Sequence, residues 1–251
     1  MLLGYSLALL IGLSLGLLGG GGSIVTVPIL VYAIGMEEKL AIALSLAIVG
    51  ATSLIGAFSH YKKGNVDFKV FLAFGPVAML GTFLGAKLSV FFSGQVQLLM
   101  FAVIMILAAY FMLKGRQSVE ADPSKQQFTT KRIALIAVEG IVVGIITGLV
   151  GVGGGFLIVP ALVLLAGISM KRAVGTSLLI ISVKSFAGFS GYLGIVEIPW
   201  DFLARFTAVS GLGILAGSAL VKHVPQKWLK KIFALFLIMM GIFIFYQNYF
   251  T

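Results

Sequence analysis

The sequence predicts an all-α integral membrane protein made of two inverted-topology repeats, each a glycine-broken helical hairpin followed by three transmembrane helices. Three observations support this prediction: the composition, the lengths of the apolar stretches and an internal repeat. Of the 251 residues, 60% are hydrophobic and 10% are charged, and the mean hydropathy is +1.13. Soluble globular domains carry about 25% charged residues. Most of the outer surface is therefore expected to face lipid.

Eight apolar stretches, each about long enough to cross a bilayer, follow one another along the chain. They span residues 2–35, 41–60, 70–92, 96–113, 133–167, 173–195, 202–221 and 229–249. The first and fifth stretches are too long for one crossing and contain the clusters Gly19–Gly22 and Gly151–Gly155. Because dense glycine destabilises a helix, each of these two stretches is predicted to break near its middle.

The two halves of the chain repeat each other at an offset of 132 residues. The first glycine cluster and Pro28 fall on the second cluster and Pro160, and the match continues downstream. The predicted organisation is a first membrane repeat over residues 1–114, a polar linker over 115–131 and a second membrane repeat over 132–251.

The distribution of lysine and arginine favours inverted over parallel halves. If every apolar stretch crossed once, the basic residues would divide 9 to 8 between the two sides. If each broken stretch turns back at its glycines, they divide 14 to 3, with Lys184 left inside a span. Because basic residues concentrate on the cytoplasmic side, we expect a cytoplasmic linker and both termini outside. The charge count leaves open whether the broken stretches are re-entrant loops or pairs of short crossings.

The two breaks are predicted to meet near the midplane and to bind an anion. Non-helical backbone at membrane depth is tolerated only where protein or a water-filled cavity satisfies it, and N–H groups at a helix start attract negative charge. After each cluster, the segments Ser23–Pro28 and Phe156–Pro160 combine β-branched residues with a proline, which favours extended chain until a helix restarts at the proline.

Polar residues inside the plain spans are further candidates for the site. Lys184 lies near the centre of the sixth span, where a charge costs about 2.5 to 3.5 kcal/mol, so we expect it to have a ligand or a partner such as Glu139. The residues predicted to bind substrate are Gly21, Gly22, Ser23, Ser45, Gly153, Gly154, Gly155, Thr176, Ser177 and Lys184. No catalytic residue, metal ligand or cofactor is predicted.

The two glycine–proline motifs resemble those of the TauE/SafE family of sulfite exporters, and the likeness covers residues 8 to 249. The motifs are Gly19–Ser23 with Pro28, and Gly151–Gly155 with Pro160, the latter followed by Ala173–Leu178. The resemblance implies a secondary transporter of a prokaryotic inner membrane. It also implies that the transported solute is sulfite or a small organosulfur anion such as a sulfonate, moved mostly outward.

The expected mechanism is alternating access around one central anion site, driven by an ion gradient or by the solute itself. The expected partners are a small anionic solute, the lipid bilayer and a coupling proton or ion, with no nucleic acid; the oligomeric state is left open. An anion channel that uses the same tips is the alternative. A membrane-embedded enzyme is disfavoured because Glu139, His60 and Lys184 lie in different segments without nucleophile–base spacing.

Overall fold

The computed structural model describes residues 2–20, 22–114, 130–150, 154–164, 168–220 and 226–250, and these residues fold into a bundle of helices. The helices are α1 Leu2–Leu18, α2 Gly22–Pro28, α3 Glu38–Tyr61, α4 Phe68–Leu88, α5 Gly94–Lys114, α6 Thr130–Val150, α7 Gly155–Leu164, α8 Met170–Tyr192, α9 Trp200–Leu220 and α10 Gln226–Phe250. A π-helical turn, Ile29–Ala33, continues α2. The linker predicted over 115–131 lies almost wholly outside the described residues.

The predicted apolar stretches coincide with these helices, and the two over-long stretches are the two that break. The first stretch becomes α1 and α2, and the fifth becomes α6 and α7. In the described part of the chain, α3, α4, α8 and α9 are long and apolar enough to cross a bilayer. The protein is therefore a multi-pass helical membrane protein.

The prediction of extended chain between each glycine cluster and its proline is wrong, because both segments are helical. α2 runs from Gly22 to Pro28, and α7 continues through position 160 to Leu164. Chain at membrane depth must satisfy its own backbone hydrogen bonds, and this requirement outweighs a local preference for extended structure. After Pro28 the helix widens into the π-helical turn, where the Ile34 amide donates to the Ile29 carbonyl at 3.0 Å.

The first helix of each half packs along a helix of the other half, with glycine at the points of contact. A Cβ atom built on Gly12 would lie 2.8 Å from the Ile214 amide of α9, and one built on Gly16 would lie 2.7 Å from the Ser218 amide. α6 makes the same kind of contact with α4 through Gly144. Later residues of one helix meet later residues of the other, so α1 runs parallel to α9 and α6 runs parallel to α4.

At the centre of the bundle, α3 and α8 run antiparallel to each other. A Cβ atom on Gly50 of α3 would lie 3.4 Å from side-chain atoms of Ser185 and Phe186, and one on Gly56 would lie 3.1 Å from the Leu178 side chain. Later residues of α3 therefore face earlier residues of α8. Both helices are largely buried and carry many of the buried polar side chains of the described residues.

Candidate functional site

The first break turns the chain back on itself between α1 and α2. Gly19 follows α1 with a φ of +66°, a conformation that favours glycine, and its amide donates to the Leu15 carbonyl at 2.9 Å. The Ser23 hydroxyl donates to the Gly20 carbonyl at 2.6 Å. Gly22 begins α2 against α1, since a Cβ built there would lie 2.6 Å from the Leu15 Cβ. The break is thus a compact hairpin tip.

The second break ends at Gly154, which has a φ of +65° and precedes α7. Its carbonyl accepts hydrogen bonds from the Leu157 and Ile158 amides at 3.0 and 3.1 Å. The amides of Gly155 and Phe156 lie before the first intrahelical hydrogen bonds of α7. As at any helix start, these N–H groups have no acceptor within the helix. The start of α7 therefore presents N–H groups and the positive end of the helix dipole.

The two tips touch through their backbones. A Cβ atom built on Gly20 would overlap the backbone of Gly155, and one built on Gly155 would lie 3.1 Å from the Gly19 carbonyl oxygen. The Ser177 hydroxyl of α8 contacts the same region, donating to the carbonyls of Gly19 at 3.0 Å and Val174 at 2.8 Å. Only residues without a side chain allow the tips to approach this closely, so glycine is required at both.

Lys184 lies directly beside the second tip and is fully buried. Its Nζ donates to the Thr147 hydroxyl of α6 at 2.6 Å, and a Cβ on Gly154 would lie 2.7 Å from that Nζ. Among the described residues no carboxylate lies within 4.0 Å of it, so the partner suggested by the sequence, Glu139, is not paired with it. The site therefore holds an amino group with hydrogen-bond donors to spare and no acidic partner.

The remaining predicted residues lie at different distances from this centre. Thr176 is buried, and its hydroxyl accepts a hydrogen bond from the Asp67 amide at 2.8 Å, at the end of the loop between α3 and α4. Ser45 is buried on α3, and its hydroxyl donates to the Ile42 carbonyl of its own helix at 2.9 Å. Two further predicted residues, Gly21 and Gly153, lie outside the described residues.

Two buried polar residues that the sequence analysis did not single out support the second break. The Tyr192 hydroxyl of α8 donates to the carbonyls of Gly148 and Leu149 at 3.2 Å, and the Gln97 amide of α5 donates to the Leu149 carbonyl at 2.6 Å. These carbonyls belong to the last turn of α6, where a helix leaves acceptors unpaired. A glutamine and a tyrosine inside apolar spans were the available signal in the sequence.

The chemistry of the centre suits an anion. It combines a buried amino group that has no carboxylate partner with the amide donors at the start of α7, and the described residues contribute no carboxylate to it. In the low dielectric of a membrane protein, such donors attract negative charge strongly. Within the described residues no group of three or more histidine, aspartate or glutamate residues could hold a metal ion.

These features define a helical membrane protein whose centre is built from two broken helices, an architecture typical of transporters. The sequence pattern described as sulfite exporter TauE/SafE matches residues 5–244. The chain belongs to this family, and the resemblance seen in its glycine–proline motifs is confirmed.

Three relatives illustrate the similarity. A protein of Xylella fastidiosa is 32% identical over 96% of this chain and 93% of its own length. The protein YdhB of Bacillus subtilis is 29% identical over 88% of this chain and 90% of its own length. A protein of Methanocaldococcus jannaschii is 26% identical over 94% of both chains. Each is named a probable membrane transporter protein. No solved structure matches the chain.

Proposed function

We propose that this protein is a secondary transporter that exports sulfite or a small organosulfur anion across the inner membrane by alternating access. The observation that carries the proposal is the buried Lys184 amino group, which lies beside Gly154 at the meeting point of the two broken helices and has no carboxylate partner among the described residues. An isolated buried charge is unfavourable, and a transported anion offsets it. The family name points to sulfite as the first solute to test.

The binding groups we assign are the Lys184 amino group and the amides at Gly154 and Gly155. Ser177 contributes by fixing the first tip through its bond to Gly19, and Ser45 occupies the equivalent position on α3. Gly22 and Ser23 belong to the first tip, and Thr176 adds a hydroxyl on α8. Gly21 and Gly153 stay in the proposed set on the strength of the sequence alone. The site takes its donors mainly from backbone, which suits a small oxyanion with several acceptor oxygens.

We further propose that the two halves form an inverted repeat. Equivalent helices at the offset of 132 residues are α3 and α8, which run antiparallel. The same offset relates α1 to α6 and α4 to α9. The parallel pairs α1 with α9 and α6 with α4 are therefore equivalent contacts, one made by the opening helix of each half. Together with the 14 to 3 division of basic residues, this supports a cytoplasmic linker and external termini.

Alternating access requires contacts between halves that can break on one face. The loop between α3 and α4 supplies such a contact, since Asp67 receives the side chain of Arg172 at 4.0 Å and donates its amide to Thr176. The Arg172 side chain is 49% exposed, so water can replace its contact with Asp67 at little cost. In the proposed orientation this contact lies on the cytoplasmic face and closes it.

The test is the substitution Gly154→Leu in purified protein reconstituted into liposomes. A Cβ at this position meets the Thr147 side chain and the Lys184 Nζ at 2.5 and 2.7 Å, so the side chain would fill the site, and we expect loss of sulfite and sulfonate flux. Gly64→Leu is the matched control, because Gly64 also has a positive φ, +69°, but has no neighbouring atom within 4 Å of its Cβ position.

Both variants are compared with wild type for helix content and elution volume in detergent, so that misfolding is recognised. Flux in Gly154→Leu equal to that of Gly64→Leu would remove the site from the second tip. The concentration dependence of wild-type flux separates the two modes of transport. Saturation supports a carrier, whereas flux that rises linearly with concentration would identify a channel.

A further inference from the structure

Among the described residues around Lys184, no charged group lies close enough to balance its charge. The helices packed against α8 are α3, α4, α6 and α7. α7 has no titratable residue, and α3 and α4 have none except near their ends, at Glu38, Lys39, His60, Tyr61, Lys69 and Lys87. On α6 the residue to consider is Glu139, which precedes Thr147 by two turns and makes no ion pair with Lys184.

Charge on Lys184 and occupancy by an anion are therefore linked. A buried ammonium without a counter-charge is strongly disfavoured, and the group responds by losing its proton. An anion bound at the start of α7 supplies the counter-charge and favours the protonated amine. The Nζ already reaches the Thr147 hydroxyl at 2.6 Å, so a neutral amine stays anchored when the site is empty.

The second half of the molecule contains this buried lysine–threonine pair, and the first half does not. The position equivalent to Lys184 is Thr52, whose hydroxyl donates to the Ile48 carbonyl of its own helix at 2.6 Å. The position equivalent to Thr147 is Leu15, which has no hydrogen-bonding side chain. One amine therefore serves the central site.

We propose that a proton on the Lys184 amino group is the coupling ion, and that one proton crosses the membrane with each anion. This inference rests on the proposed function. The neutral amine takes up a proton as the anion enters, and both leave on the opposite side, which restores the neutral amine. Transport of a monovalent anion is then electroneutral. Export is driven by the concentration gradient of the solute itself, and one proton leaves the cytoplasm with each anion.

The experiment uses a sulfonate, such as 2-hydroxyethanesulfonate, because a sulfonate stays monoanionic at every working pH and does not carry a proton itself. Proteoliposomes with a trapped pH dye and radiolabelled sulfonate report proton and anion flux together. For wild type we expect one proton for each sulfonate, accumulation driven by external acid, and no effect of a membrane potential clamped with valinomycin. Radiolabel flux without proton movement would overturn the coupling while leaving the proposed function intact.

The variant Lys184→Arg separates coupling from binding, because arginine stays protonated under all conditions. We expect the ratio of acid-driven accumulation to labelled-for-unlabelled exchange, both measured on the same proteoliposomes, to fall at least tenfold. Lys87→Arg, at an exposed lysine of α4, is the matched control and should behave as wild type. Acid-driven accumulation at the wild-type level in Lys184→Arg would overturn the inference. Absence of any anion flux in wild type would instead refute the proposed function and this inference with it.

Discussion

The contact between the two tips predicts that a single methyl group on Gly20 will impair transport. The φ of Gly20 is not positive, so alanine is compatible with the backbone and the effect of Gly20→Ala is steric. The added Cβ would overlap Gly155, with the carbonyl oxygen of that residue at 2.7 Å, whereas ordinary contact begins at 3.4 Å. All three nearest atoms belong to the Gly155 backbone, so no side chain can rotate away.

The expected magnitude follows from the cost of overpacking, about 1–3 kcal/mol. If this cost falls on the conformation in which the tips touch, the population of that conformation decreases roughly 5- to 150-fold. In a chain of this size, the same cost lowers the melting temperature of the variant by about 2–12 °C. The measurements are sulfite flux in proteoliposomes and thermal unfolding in detergent. Gly4→Ala is the control, because a Cβ on Gly4 of α1 has no atom within 4 Å. Wild-type flux and melting in Gly20→Ala would refute the contact between the tips.

The other predictions concern the hydroxyl that fixes the first tip and the topology. Ser177→Ala should cost about 0.5–1.5 kcal/mol of stability and weaken apparent anion affinity, whereas Ser190→Ala, which removes an exposed bond within the same helix, should change neither; equal effects would show that Ser177 has no special role. Because the chain has no cysteine, single cysteines at Ser124 and Ser169 should react with an impermeant maleimide only from the cytoplasm and one at Glu197 only from outside. Labelling of Ser124 and Ser169 from opposite sides would contradict the inverted arrangement.

Much of the helical organisation was predictable because it depends on composition and length. Bilayer thickness fixes the length of an apolar span, and the two glycine clusters interrupt spans that are too long for one crossing. Lys184 was predictable for the same reason, since a charge deep in an apolar stretch needs an explanation wherever the helix lies. These features can be read from the residues without knowledge of their neighbours.

The features that the sequence did not predict depend on contacts between distant segments. Nothing near Thr147 indicates that it receives the Lys184 amine, and the bonds of Tyr192 and Gln97 to the end of α6 join residues that are 43 to 52 positions apart. Thr176 was predicted from its polarity, which does not reveal that its hydroxyl receives the Asp67 amide. The extended segments before the prolines were predicted wrongly because local β-propensity ignores the absence of water around the helix.

The glycine-lined pairing of α1 with α9 and of α6 with α4 has a consequence for biosynthesis. α1 lacks its packing partner α9 until residues 200–220 have been synthesised, so a shorter amino-terminal fragment leaves the glycine face of α1 unpacked. Under the proposed inverted repeat, a protein of half this length could supply the partner of its opening helix only as a dimer whose two copies insert in opposite directions.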